Sequence, residues 1–294
     1  MSKLSIKIIT LLNKVFKPPK FLSELDEVKL SISAYQAWEY NEIVRIAPEF
    51  GSSWNLNNLT VLDAGCGLGG KTVYYEEIGA KQIVGFDIRY PSTKSTFDLS
   101  QSRGKKNIRV AQADSACLPF KSDYFDVIIS VNVFEHVGDL PATLAECKRV
   151  LRAGGLIFLH FPPFYSPWGA HLEGWINFPW ANVLFRDKSL LEAAEWIEKN
   201  RSKNNDKYIP SAVVEWSRYD LLPGLNRTTI RQFRQLIRKV NLKIKYMKML
   251  PVGREYLKSR GEAAKLGLKL LNGLARLPIV NEVITTKMVF ILQK

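Results

Sequence analysis

The sequence contains few cysteines and histidines, three of each in 294 residues. Cys66, Cys117 and Cys147 are odd in number and lack C-x-x-C spacing, which argues against a disulfide framework and a zinc knuckle. No compact spacing of histidine and carboxylate ligands occurs either, so we expect no metal. In a chain that is 46% apolar, these absences favour a cytoplasmic globular protein.

Acidic residues are also scarce: 28 Asp and Glu stand against 42 Lys and Arg, a formal net charge of +14. Residues 221–294 contain 16 Lys and Arg but 3 acids, whereas residues 61–160 contain 12 against 11. Such a basic region attracts phosphate, whether of nucleic acid, anionic lipid or a phosphorylated substrate. An ordinary solvated surface is the alternative.

The N-terminal segment has no uninterrupted apolar run. "MSKLSIKIITLLNKVFKPPK" contains five lysines and no acid, and it predicts neither a membrane-spanning helix nor a signal peptide. Its apolar residues have the spacing of one helical face: Leu4, Ile8, Leu11, Leu12, Val15 and Phe16. The pattern predicts a basic amphipathic helix, which either covers the domain or lies on an anionic membrane surface.

The middle of the chain alternates short apolar runs with helical segments. The apolar run and glycines of "NLTVLDAGCGLGG" are followed by "KQIVGFDI", "NIRVAQAD", "FDVIISVNV" and "GGLIFLHF". The segment "PATLAECKRVLRAGG" predicts a helix that ends at Gly154. A later segment, "NRTTIRQFRQLIRKV", predicts a helix with Asn226 or Thr228 as cap and with Ile230, Phe233 and Ile237 facing inward. Apolar runs separated by helices indicate parallel strands covered on both faces, so we expect an α/β fold with a doubly wound, Rossmann-like sheet.

The glycine loop alone leaves two cofactor classes open. Gly65, Gly67 and Gly70 satisfy the G-x-G-x-x-G pattern of dinucleotide-binding proteins. Asp63, two residues before the first glycine, would repel a pyrophosphate. The ammonium and sulfonium of S-adenosylmethionine are cationic instead, and a nearby carboxylate favours them.

Two further acids follow predicted strands. Asp87 closes "IVGFDI" and can accept the hydroxyls of a ribose, and Asp114 closes "VAQAD" and can accept the exocyclic amine of adenine. In open α/β sheets the ligand lies outside the carboxyl ends of the strands, where both acids are expected.

Five segments in this order resemble class I S-adenosylmethionine-dependent methyltransferases, of the broad group around ubiquinone and menaquinone biosynthesis (methyltransferase type 11). They are "VLDAGCGLGG", "GFDI", "QADSACLPF", "FDVIISVNVFEHV" and "LRAGGLIFLH", within about residues 57–161. The resemblance implies S-adenosylmethionine as cofactor and a seven-stranded sheet whose last strand, in "EVITTKMVFILQK", is antiparallel. The cofactor site that we predict contains Asp63, Gly65, Cys66, Gly67, Gly69, Asp87, Ile88, Asp114, Ser115 and Asn132.

We predict four parts of the chain. Residues 1–55 form a basic helical cap, 56–161 the cofactor-binding core, 162–225 an insertion rich in aromatic residues, and 226–294 the remainder of the sheet. The last part contains a basic helical insert, "GREYLKSRGEAAKLGLKLLNGLARLP", whose leucines form a stripe. The stripe either packs on its own domain or faces a membrane or a partner.

The insertion begins with "FPPFYSPWGAHLEGWINFPW", which contains seven aromatic residues and four prolines directly after the fifth predicted strand. In this position we expect a lid over the methyl acceptor rather than buried core. Tyr165, Trp168 and Trp175 are the predicted substrate contacts.

The three histidines are the candidates for a catalytic base. His171 belongs to the aromatic segment and serves as base or as part of the lid structure; Glu173 is a weaker candidate there. His136, in "FEHV", serves as base or lines the cofactor, and His160, within the fifth strand, reaches the site or belongs to the core.

The predicted function is methyl transfer from S-adenosylmethionine to a small or medium-sized acceptor: a lipid, a quinone precursor or a glycan sugar. The alternative is a nucleic-acid-binding methyltransferase module that uses the basic C-terminal face. An N/D-P-P-[YF] motif after the fourth strand would favour that alternative. This sequence has "VNVFEHV" at that position instead, which favours the small acceptor. The sequence does not decide whether the protein contacts an anionic membrane peripherally or which oligomeric state it has. It also leaves open whether the methyl group goes to oxygen, nitrogen or carbon.

Overall fold

We describe the fold from a computed structural model, which describes residues 2–16, 31–172, 175–203, 222, 224–253, 266, 269–270, 273–274 and 277–294. The chain divides into two compact units. The first, here called the sheet unit, comprises Val28–Pro162, Thr228–Leu250 and Lys287–Lys294. The second, the helical unit, comprises Met1–Glu27, Pro163–Arg227 and Pro251–Thr286.

The described helices are, in chain order, α1 (Ser2–Val15), α2 (Ile32–Ile46), the 3₁₀ helix Ala47–Ser53, α3 (Gly70–Glu77), α4 (Tyr90–Ser102), α5 (Leu140–Val150), α6 (Ala181–Leu184), α7 (Asp187–Lys203), α8 (Ile230–Lys239) and α9 (Pro278–Ile284). The described strands are β1 (Thr60–Ala64), β2 (Gln82–Asp87), β3 (Ile108–Gln112), β4 (Phe125–Val131), β5 (Leu151–Phe161), β6 (Lys243–Pro251) and β7 (Thr285–Gln293).

The strands form one seven-stranded sheet in the order β3-β2-β1-β4-β5-β7-β6. The pairs from β3 to β5 are parallel, and β7 is antiparallel to β5. This confirms the doubly wound fold with an antiparallel last strand. The order reverses between β1 and β4, so the carboxyl ends of these strands flank the crevice where ligands of such sheets bind.

Both faces of the sheet are buried. Neighbouring residues along one strand belong to different apolar clusters, as with Val61 and Leu62 of β1 or Phe158 and Leu159 of β5. Successive side chains of a strand point to opposite faces, so each cluster covers one side. This arrangement is the reason for the continuous apolar runs in the sequence.

Two predicted boundaries are wrong. The helix α5 ends at Val150 rather than at Gly154, because Leu151 already pairs with Phe125 of β4. The helix α8 begins after Thr229, whose hydroxyl accepts from the Gln232 amide in a capping box, rather than after Asn226 or Thr228. Its inward residues are those that the sequence predicts: Ile230, Phe233 and Ile237.

The helical unit has an apolar core of its own, to which α1 contributes Ile9 and α7 contributes Leu190 and Leu191. The aromatic segment provides much of the rest: Phe164, Ala170, Leu172, Ile176 and Phe178. The expectation that this segment is not core is therefore wrong for these residues. The contact between this segment and the methyl acceptor stays a prediction.

Polar side chains connect the elements of the helical unit. Asn13 of α1 donates to the carbonyl of Trp175 at 2.6 Å and accepts from the amide of Asn177 at 2.9 Å. The indole N–H of Trp175 donates to Glu198 of α7 at 2.5 Å. These bonds fix α1 and the aromatic segment to the same unit.

Two predicted features lie outside the described residues: Glu173 and most of the basic helical insert. Within the described ranges, no helix combines the length and apolarity that are needed to cross a bilayer.

Candidate functional site

The glycine loop connects β1 to α3 at the carboxyl edge of the sheet. Gly65, Gly67 and Gly69 have φ angles of 83°, 59° and 102°, which side chains other than glycine rarely adopt. At Gly65 an added Cβ would also collide with the side chain of Val133. The loop therefore requires glycine for its conformation and for its close contacts.

The amides of this loop are occupied by a carboxylate of the same unit. Glu39 of α2 is buried; its Oε1 accepts from the Leu68 amide at 3.1 Å and its Oε2 from the Gly70 amide at 3.0 Å. A Cβ on Gly67 would collide with Oε1 of Glu39. Amides at a helix N-terminus bind anions, and here the anion belongs to the protein. A dinucleotide pyrophosphate would have to displace it.

Asp63 lies buried at the end of β1. Its Oδ2 accepts from the Thr72 hydroxyl at 2.6 Å, and its Oδ1 has no hydrogen-bond partner among the described residues. Burial raises the pKa of Asp63 to about 6, although the Lys71 ammonium opposes this shift. A buried carboxyl oxygen without a partner suits a cationic group of a ligand.

Lys71 neutralises part of this acidic group. Its ammonium is buried 3.6 Å from Oε1 of Glu39. Burial lowers the pKa of Lys71, but the carboxylates of Glu39 and Asp63 outweigh it and raise the pKa above its usual value. The carboxyl groups of Glu39 and Asp63 thus both stabilise the charged ammonium of Lys71.

Asp87 ends β2 beside the same loop. Its carboxylate accepts from the Gly67 amide at 3.3 Å and from the Arg89 amide at 2.9 Å. Ile88 next to it is exposed. Carboxylate oxygens have further lone pairs, so Asp87 can accept additional hydroxyl groups at the edge of the sheet.

The remaining predicted cofactor residues extend this site along the edge. Asp114 follows β3, is exposed, and accepts from the Ala116 amide at 2.9 Å. The hydroxyl of Ser115 lies 2.9 Å from that of Thr143. The thiol of Cys66 is buried, and burial raises its pKa, so it stays protonated and unreactive near neutral pH.

Asn132 follows β4 with a left-handed φ of 55°. Its Nδ2 donates to Glu42 of α2 at 2.8 Å, and its Oδ1 accepts from the Lys287 ammonium of β7 at 2.5 Å. The amide thus connects an acid and a base from distant parts of the sequence at the carboxyl edge of β4.

Two buried ionisable groups lie near Lys287. In the part of the chain that the structure describes, Oε2 of Glu135 and Nδ1 of His160 have no hydrogen-bond partner. Burial raises the pKa of Glu135, which Lys287 opposes. Burial lowers the pKa of His160 well below its usual value, and Lys287 adds to this shift. His160 is therefore a neutral imidazole near pH 7.

The predicted catalytic and substrate residues fall into both units. His136, which is exposed, and His160 belong to the sheet unit, whereas His171, with a φ of 51°, belongs to the helical unit. Tyr165 is exposed, and Trp168 and Trp175 are half-buried in the helical unit. Their roles stay predictions.

Three residues of the site do not follow from sequence reasoning: Glu39, Glu42 and Lys287. The two glutamates are separated by one helical turn in "WEYNEI" of α2, more than twenty residues before the loop that Glu39 contacts. Only the spacing of the two acids, which places them on the same side of α2, hints at them.

Residues 62–159 match a family model described as a methyltransferase domain. The ubiquinone biosynthesis O-methyltransferase of Bradyrhizobium sp. (strain ORS 278) is 32% identical over 106 residues, 35% of this chain and 39% of that protein. The chloroplastic 2-methyl-6-phytyl-1,4-hydroquinone methyltransferase of Spinacia oleracea is 27% identical over 187 residues, 60% of this chain and 49% of that protein. The matches thus span less than half the length of these relatives.

A solved structure shares the fold. The S-adenosylmethionine-dependent methyltransferase from Mesorhizobium loti is 15% identical, with a TM-score of 0.53 over 90% of this chain and 100% of that one.

Proposed function

We propose that this protein transfers a methyl group from S-adenosylmethionine to a small or medium-sized acceptor, because residues 62–159 match a methyltransferase domain and the chain shares the fold of an S-adenosylmethionine-dependent methyltransferase. One observation carries the proposal: Glu39 occupies the loop amides that would otherwise bind a phosphate. Together with Asp63 and Asp87 it makes the surroundings of the loop acidic.

The acidic loop supports a cofactor that is cationic and free of phosphate. Opposite charges a few ångströms apart attract strongly when they are partly buried, and like charges repel equally strongly. S-adenosylmethionine carries its methyl group on a sulfonium and so supplies an electrophilic carbon. Asp63 would hold its ammonium and Asp87 its ribose hydroxyls, while Asp114 would accept the adenine amine.

The residues at the carboxyl edge of β4 and β5 support chemistry on an acceptor. Methyl transfer requires the acceptor to be held in line with the sulfonium, and a hydroxyl acceptor also requires a base. Glu135 and the neutral His160 each have an unpartnered buried atom beside the Lys287 ammonium. His136 and His171 are further candidates for the base.

The acceptor that we propose is a quinone precursor, a lipid or a glycan sugar. The names of the two relatives, one from ubiquinone biosynthesis and one acting on a phytyl hydroquinone, support the first two classes. The aromatic segment, with Tyr165, Trp168, His171 and Trp175, is the part of the chain that we propose for acceptor contact.

Calorimetry tests the cofactor half of the proposal. The wild-type protein should bind S-adenosylhomocysteine and show no heat with NAD⁺, and Asp87→Asn should weaken S-adenosylhomocysteine about tenfold or more. Asp98→Asn removes an exposed carboxylate of α4 that pairs with Lys94, and it serves as the control. Tighter binding of NAD⁺ than of S-adenosylhomocysteine would contradict the proposal.

Mass spectrometry tests the acceptor half. Small molecules that co-purify with the S-adenosylhomocysteine complex should include a methyl acceptor, identified by a mass gain of one methylene after incubation with S-adenosylmethionine. His171→Ala should then lower turnover without changing S-adenosylhomocysteine affinity. If His171→Ala and Trp175→Phe both leave turnover intact, the aromatic segment does not contact the acceptor.

A further inference from the structure

The helix α1 is apolar on two sides. Ile9 is fully buried in the core of the helical unit, and Ile6 and Leu12 pack partly against that core. A surface helix with one side in a core ordinarily presents polar residues on the other. In α1 the other side is also apolar, with Leu4 67%, Ile8 40%, Leu11 63% and Val15 70% exposed.

These four exposed side chains form one continuous stripe. Their spacing of 4, 3 and 4 residues places them within an arc of about 60° around the helix axis. The apolar face that the sequence predicts is therefore divided in the structure: Leu12 packs against the core of the helical unit, whereas Leu4, Ile8, Leu11 and Val15 face away from it. The helix covers its own unit, as one of the two alternatives expects, and leaves this stripe exposed.

Basic residues flank the stripe on one edge. Lys7 and Lys14 are exposed and lie on the helical wheel beside Leu11, at the edge of the stripe opposite to Ile8. No acid occurs in α1, and neither lysine forms an ion pair within the described residues. An apolar stripe bordered by lysines complements the surface of an anionic bilayer. The stripe can enter the acyl-chain region, and the lysines can contact the negatively charged headgroups.

The same unit exposes a second apolar series. Residues 266, 270 and 274 are helical, and Ile279 follows in α9. The exposed leucines have spacings of 4, 4 and 3 residues: Leu266, Leu270, Leu274 and Leu277. Lys269 beside them is exposed as well. A soluble protein rarely leaves two such series in water, and exposed apolar patches of this kind mark interaction sites.

We propose that the helical unit docks on an anionic lipid surface through the outward face of α1. The exposed stripe of Leu4, Ile8, Leu11 and Val15 enters the interface between headgroups and acyl chains, and Lys7 and Lys14 contact lipid phosphates. The helix lies along the surface and does not span it. Binding in this mode is reversible, and its strength depends on both apolar area and lipid charge.

Vesicle flotation tests the proposal with the full chain. The wild-type protein should float with vesicles of phosphatidylcholine mixed with phosphatidylglycerol, and much less with phosphatidylcholine alone. The double variant Leu11→Glu, Val15→Glu should lose at least about tenfold in partition, because it removes apolar contact and adds repulsion. Lys7→Gln with Lys14→Gln should lower binding to the anionic vesicles about tenfold and leave binding to neutral ones unchanged.

Val44→Glu is the control for the position of the change. Val44 is 45% exposed on α2 of the sheet unit, so a glutamate there replaces an exposed apolar side chain away from α1. This variant should float as the wild type does, and circular dichroism should show that each variant is folded. Equal flotation of wild type and the α1 double variant, or no flotation of wild type, would overturn the proposal. A dimer in sedimentation velocity that dissociates in the double variant, without vesicle binding, would assign the stripe to a second copy instead.

Discussion

Glu39 supplies, from within the chain, the anion that the amides of a glycine-rich loop otherwise attract from a ligand. Its two oxygens accept from Leu68 and Gly70, and Lys71 lies beneath it. We propose that Glu39, outside the glycine pattern that two cofactor classes share, makes the loop selective between them. The proposed selectivity depends on the packing of α2 against the loop.

Replacing Glu39 should therefore affect both stability and ligand preference. Glu39→Ala leaves two loop amides and the buried Lys71 ammonium without their partner, which should cost about 3 kcal/mol of unfolding free energy or more. It should also let pyrophosphate raise the melting temperature, which it does not do in the wild type. Chemical denaturation and thermal melts measure both effects.

Glu77→Gln is a suitable control for this variant, because Glu77 pairs with Lys105 at 3.3 Å on a more exposed part of α3. Exposed pairs contribute less than about 1 kcal/mol. A Glu39→Ala protein that is as stable as this control would show that the carboxylate does not organise the loop.

Asp63 should make cofactor binding depend on pH. Burial raises its pKa to about 6, so the carboxyl group becomes neutral as the pH falls through that value. Its attraction for the cofactor ammonium is then lost, and affinity for S-adenosylhomocysteine should fall by up to about tenfold per pH unit below pH 6. Calorimetry between about pH 5 and 7 measures this dependence.

Asp63→Asn has no carboxyl group to titrate at this position. Its affinity should be low and nearly constant over the same pH range. If the variant retains the slope of the wild type, another group is responsible for it.

At the scale of elements, α1 has two apolar faces with different energetic consequences. Ile9→Ala should destabilise the protein by about 3 kcal/mol, because it leaves a cavity in the core of the helical unit. Leu11→Ala on the same helix removes an exposed side chain and should change stability by no more than about 0.5 kcal/mol. Urea unfolding of both variants gives the comparison.

Equal losses in the two variants would mean that Leu11 is covered in solution. That result would also remove the basis for docking through the outward face of α1.

Local patterns predict the elements of the sheet unit well. The strands are short apolar runs because both faces of the sheet are covered, and a run of this kind can be read from the sequence alone. The predicted strands also give the positions of the glycine loop, of Asp63 and Asp87 at the ends of β1 and β2, and of Asn132 directly after β4. Cap positions are less predictable: Thr228 and Thr229 are both suitable, and only the structure shows which hydroxyl accepts from the Gln232 amide.

Contacts between distant segments are not predictable in this way. Glu39 and Lys287 reach the site from α2 and β7, and no local pattern connects them to Asn132 or to the glycine loop. Likewise, the pattern of α1 shows an apolar face but not which side of the helix enters the core. The aromatic segment has no periodicity, so its contribution to a core could not be inferred.

At the scale of the whole molecule, the charge of +14 does not by itself indicate nucleic acid as partner. For the α1 lysines we propose a lipid surface as the partner, and most of the basic surplus lies in residues 221–294. We expect binding to single-stranded oligonucleotides to be weak at physiological salt, as for any basic protein. Fluorescence anisotropy over a salt series measures it.

Tight binding with a steep salt dependence would favour the nucleic-acid alternative over a small acceptor. A protein with the Lys7→Gln and Lys14→Gln changes would then show whether α1 contributes to that affinity.

The order of the strands has a consequence for synthesis on the ribosome. The strand β7 is the last of the sheet in the chain, yet it lies between β5 and β6. Since β6 ends at Pro251 and β7 begins at Thr285, the nascent chain carries β6 and an open edge of β5 before their shared neighbour emerges. During that interval two exposed edges can pair with other chains. If translation stops in this interval, the sheet lacks the strand between β5 and β6. We expect such a product to depend on chaperones to stay monomeric.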